Sequence, residues 1–66
     1  MNARYVLIIE NLLDPIGFGI KRATVILVDT HSVSPILDGT IAIENQPDIE
    51  KMVSQLYGHD LKIIKP

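Results

Sequence analysis

Cysteine and tryptophan are both absent from the 66 residues, and only three side chains are aromatic: Tyr5, Phe18 and Tyr57. Without cysteine there is no disulfide to staple a small fold and no thiolate zinc site. The two histidines, His31 and His59, are too few for a structural metal core. Basic charge is also scarce. Six Lys and Arg stand against eight Asp and Glu, a formal net charge of -2, which argues against a generic nucleic-acid or anionic-membrane surface. No apolar run approaches the roughly 18 residues that mark a membrane span. Glu10 and Asp14 interrupt the only apolar stretch near Met1, and no basic segment leads into it, so the pattern of a signal peptide is missing. The expected location is the cytoplasm.

What the chain has in abundance is aliphatic surface. Ile, Leu and Val together number 23, of which 11 are Ile, and hydrophobic residues make up 47%. That excludes a disordered chain. The length suits a single domain over residues 1–66, read as a complete small protein. For a domain this small, apolar burial and the entropy of ordering the chain nearly cancel. With disulfides and metal excluded, self-association is the staple that remains.

The order of elements reads β-β-β-α-β. Residues 4–12 are β-branched and aromatic at their start and end on the turn initiator Asp14-Pro15, so they read as a strand. Residues 14–19, with one Pro and two Gly, read as a hairpin loop. Residues 21–30 form a second strand. Residues 31–39 form a longer loop closed by a tight turn at Asp38-Gly39. A short third strand covers 40–45.

The helix signal is the sharpest. Pro47 suits a first helical position, and Asp48 and Glu50 complement the helix dipole. Ile49, Met52, Val53 and Leu56 follow at helical spacing. The helix is expected over 47–57, with Gly58 beyond its end. Residues 61–65 read as a last strand. The fold expected is a small α+β domain: a three-stranded antiparallel meander, one crossover helix packed on one sheet face, and a C-terminal fourth strand. That strand runs parallel to strand one or lies beside strand three, and the sequence does not choose.

One pattern bears on function. Strand one carries Tyr5, Leu7 and Ile9 on one face and Val6 and Ile8 on the other. Strand two carries Ala23, Val25 and Leu27 on one face and Ile26 and Val28 on the other. A half-exposed antiparallel sheet alternates apolar with polar, and one short helix covers only one face. A partner must cover the second. The expectation is a homo-oligomer, a dimer by base rate, joined through the sheet face opposite the helix or through an exposed strand edge, with Val25 and Leu27 at the interface.

Three further groups of residues merit weighing. Gly17-Phe18-Gly19 followed by Lys21-Arg22 resembles the RNP1 signature of RNA-recognition domains at a few positions. Ile16 stands where that motif has a basic residue and Ile20 where it has an aromatic one. Phe18, Lys21 and Arg22 are the expected partner-binding residues, for a protein first and a nucleic acid second. Asp29, His31 and Ser32 have the residue types of a hydrolase triad, but they crowd one short segment, where a strand end running into a polar loop explains them. His31, His59 and Asp60 offer N and O ligands for a metal, yet a histidine after a helix end is already favoured by the dipole. No catalytic residue, metal or cofactor is expected. The reading is a small non-enzymatic module that binds a protein partner or a small ligand at a subunit boundary. The alternative is a nucleic-acid-binding regulator using the Gly17–Arg22 hairpin, and a small hydrolase comes third.

Overall fold

The computed structural model describes residues 3–13 and 20–66. Four strands, β1 (Tyr5–Leu13), β2 (Ile20–Asp29), β3 (Pro35–Ala42) and β4 (Leu61–Ile64), form one mixed sheet in the order β3-β2-β1-β4. A 3₁₀ turn (Ile43–Asn45) leads into one helix, α1 (Gln46–Tyr57). This is the expected α+β domain. β1 and β2 pair antiparallel from Tyr5↔Asp29 to Leu13↔Ile20, and β2 pairs antiparallel with β3. β4 settles against β1, parallel to it, from Tyr5↔Leu61 to Ile8↔Ile64. Of the two positions open to the last strand, the crossover through α1 takes the one beside strand one.

The core lies between the sheet and α1. Leu7, Ile9, Ala23, Val25, Leu27 and Val53 are its buried members, with Tyr5, Ile41, Ile49, Tyr57, Leu61 and Ile63 packed around them. Period-two alternation sends Leu7 and Ile9 of β1 and Ala23, Val25 and Leu27 of β2 toward the helix. Val25 and Leu27 are therefore 1% and 3% exposed within their own chain. They form the floor under α1, and the expectation that they meet a second copy is overturned. The open face of the same strand carries Thr24, Ile26 and Val28 instead.

Local expectations change as well. Asp38-Gly39 is no turn but the middle of β3, with Gly39 opposite Val25 and Asp38 opposite Ile26. An edge strand tolerates Pro at its first residue and Gly within it, and the first six residues of β3 are exposed, so no alternation announced them. Residues 43–45, read as the end of a strand, form the 3₁₀ turn. On α1, Pro47 stands in the first turn as expected, but the packed line is Ile49, Val53 and Tyr57. Met52 and Leu56 are 49% and 69% exposed. Gly58 keeps a right-handed backbone, φ -44° and ψ -40°, at the helix end.

Candidate interaction surface

The sheet has one helix and two faces. Cross-strand register arranges the uncovered face in rows. One row reads Lys62, Val6, Val28, Pro35 across β4, β1, β2 and β3. The next reads Ile64, Ile8, Ile26, Asp38. Beyond it come Glu10, Thr24 and Thr40, then Leu12, Arg22 and Ala42. Its centre is thus a patch of Val6, Ile8, Ile26, Val28 and Ile64, framed by Lys62, Asp38, Glu10 and Arg22. The first four aliphatics are half-buried by their neighbours alone, and Ile64 is 45% exposed. Nothing among the described residues packs over them.

At the end of the sheet where β1 begins, the polar residues are engaged in structural roles. The Arg4 guanidinium donates from Nε and Nη2 to the two carboxylate oxygens of Asp29, both at 3.1 Å, and lies 5.4 Å from the Tyr5 ring centroid. Asp29 Oδ1 also accepts the backbone N–H of His31 at 2.9 Å, and the N–H of Ser32 donates to the Asp29 carbonyl. The Arg4 hydrogen bonds come first, and the His31 amide second, in holding the Asp29 carboxyl below its ordinary pKa. Asp29 is thus the organiser of the turn after β2. The hydroxyl of Ser32 accepts the N–H of Ser34 at 3.3 Å, and residues 30–34 all stand exposed. The carboxylate that would orient a catalytic imidazole is instead held by a guanidinium and a main-chain amide.

His59 and Asp60 line a shallow hollow with Tyr5, Leu56 and Tyr57 at the end of α1. The two tyrosine rings meet there, with centroids 4.4 Å apart, and Tyr5 N–H donates to the Asp60 carbonyl. Among the described residues, no group of three or more His, Cys, Asp or Glu side chains converges as a metal site. At the far end of β1 a second hollow opens where β4 stops, lined by Ile9, Glu10, Asn11, Ile64 and Pro66. The Asn11 Oδ1 is buried there without a partner among the described residues.

Of the expected partner-binding residues, Phe18 lies outside the described residues, and Lys21 is placed on β2 by its backbone alone. Arg22 is exposed at the corner of the open face, opposite Leu12 and Ala42. The open-face set of Val6, Ile8, Ile26 and Val28 was visible in the sequence as half of a two-faced pattern. What was missing was which half the helix covers. No helix among the described residues is long and apolar enough to cross a membrane. Compared with models of protein families, with curated proteins and with solved structures, the chain matches none.

Proposed function

We propose that the protein is a small, non-enzymatic binding module that works as a homo-oligomer, a dimer first, with the open sheet face as its self-association surface. The observation that carries this reading is the patch of Val6, Ile8, Ile26, Val28 and Ile64, which none of the described residues of its own chain covers. Contiguous apolar surface of this kind, rimmed by charge, marks an interaction site, and a second copy is a partner always present at the right concentration. Each copy supplies half of a two-layer sheet core, with sheets packed about 10 Å apart. The proposal includes a cytoplasmic location. A protein partner or small ligand would then engage the assembled dimer at its subunit boundary.

Light scattering across a wide dilution series tests this. The expected mass is twice 7.3 kDa at micromolar concentration. Ile26→Lys should leave a folded monomer, because a lysine stem can lie along the sheet with its ammonium in water. Val25→Lys, under the helix, should unfold the chain. A wild-type chain that stays folded and monomeric at every concentration would refute the proposal.

A further inference from the structure

We infer that the two copies stack face to face about a two-fold axis parallel to the strands, so that Asp38 of each subunit pairs with Lys62 of the other. The inference rests on the dimer reading above and deepens it. It follows from where the register puts the charges.

A two-fold that closes a face-to-face dimer lies in the plane between the sheets. Sheets stacked with aligned strands leave two orientations for it. An axis parallel to the strands and midway across the sheet keeps each row in place and reverses the strand order. β1 then faces β2 of the other copy, and β3 faces β4. Ile8 meets Ile26, and Val6 meets Val28, in both directions. On the edge strand β3, Asp38 faces the end of the row that holds Ile64, with Lys62 of the other copy in the adjoining row. Glu10 faces Thr24, with Arg22 one row further. Each acid thus comes near a base of the other subunit, and symmetry doubles both pairings.

An axis perpendicular to the strands does the reverse. Every strand faces itself. With the axis along the central row of Ile64, Ile8, Ile26 and Asp38, the two Asp38 carboxylates oppose each other. Glu10 then falls on Val6. Like charges juxtaposed across an interface disfavour that arrangement. The diagonal arrangement of two acids and two bases around one aliphatic patch therefore selects the parallel axis. It also defines the assembly as four layers: helix, sheet, sheet, helix.

The two axes give opposite signs for one substitution. Asp38 and Lys62 are exposed, so variants at both should fold, and far-UV circular dichroism checks that they do. Dimer dissociation constants are measured by sedimentation equilibrium at low salt. With the parallel axis, Asp38→Asn and Lys62→Gln each weaken the dimer, and Asp38→Lys or Lys62→Glu weakens it by about tenfold. The double exchange, Asp38→Lys with Lys62→Glu, returns the constant to within about threefold of wild type. Added salt weakens the wild-type dimer more than the Lys62→Gln dimer, in which only the Glu10–Arg22 pairs remain to be screened. If Asp38→Asn tightens the dimer, or the double exchange fails to rescue while Ile26→Lys still yields a monomer, the axis is wrong and the face is right. A wild-type chain that is monomeric throughout overturns both the axis and the reading it rests on.

Discussion

Val53 is the one residue of α1 that is fully buried, at 2% exposure, and truncating it probes how the helix is held. Val53→Ala removes two methyl groups from a packed site. At about 0.8 kcal/mol per group, with a further loss for the cavity left behind, the effect is about 2.5 kcal/mol. Alanine is the better helix former by about 0.5 kcal/mol, so the net loss is about 2 kcal/mol. A chain of this length has a total stability on the order of 3–10 kcal/mol, so the fraction lost is large. Urea unfolding followed by far-UV circular dichroism reads it directly. With a slope of about 1 kcal/mol per molar urea for so small a domain, the midpoint should fall by about 2 M. Leu56→Ala on the same helix is the control. At 69% exposed it should move the midpoint by less than about 0.5 M. Both are compared at one protein concentration, because self-association adds to apparent stability. If Leu56→Ala proves the costlier change, the helix is rotated about its axis and the packing described above is wrong.

Three other outcomes follow from particular positions. Gly39 lies in extended backbone with open space where a Cβ would project, so Gly39→Thr should raise stability by about 0.5–1 kcal/mol in the same assay; a loss would indicate a turn there. Gly58→Ala should be destabilising despite its helical backbone, by about 1 kcal/mol, because the new Cβ would sit 2.8 Å from the Ser54 carbonyl oxygen; a gain would show that the helix end relaxes freely. Asp29 has a folded-state pKa below its ordinary value, so its contribution is present above the unfolded carboxylate pKa and is lost as pH falls through the folded one. Stability of Asp29→Asn should accordingly converge on wild type in acid and differ from it near neutrality; parallel pH profiles would show that the Arg4 pairing contributes nothing.

The helix was readable because its signals are local: Pro47 in the first turn, acids beside it, and aliphatics at helical spacing. β1 and β2 were readable as strands for the same reason. Which face of them is buried was not. Ala23, Val25 and Leu27 on one side and Ile26 and Val28 on the other are chemically alike, so composition is silent and only the seat of the helix decides. The first part of β3, residues 35–39, was hidden for a different cause. Exposed on both sides at the sheet edge, it has no need to alternate, and Asp38-Gly39 in it resembles a turn. The place of β4 depends on a pairing between residues more than fifty apart, as in Tyr5↔Leu61, which no local pattern encodes. The Arg4–Asp29 pair was missed likewise, since its partners are separated by 25 positions.

That parallel pairing of the first strand with the last also sets the order of folding events. The β1–β2 and β2–β3 pairings join chain neighbours and need only short loops to close. The β1–β4 ladder must wait for α1 to form, cross the sheet and deliver Leu61 beside Tyr5, and the entropy of closing so long a loop is met before any contact rewards it. During synthesis the three-stranded meander would leave the ribosome with both faces bare and its β1 edge unpaired. Only when Leu61–Ile64 emerge can the helix be locked down and that edge closed. The interval between those moments is when the chain is most prone to pair wrongly with another copy of itself, and a chain cut short before Leu61 would be held in that interval.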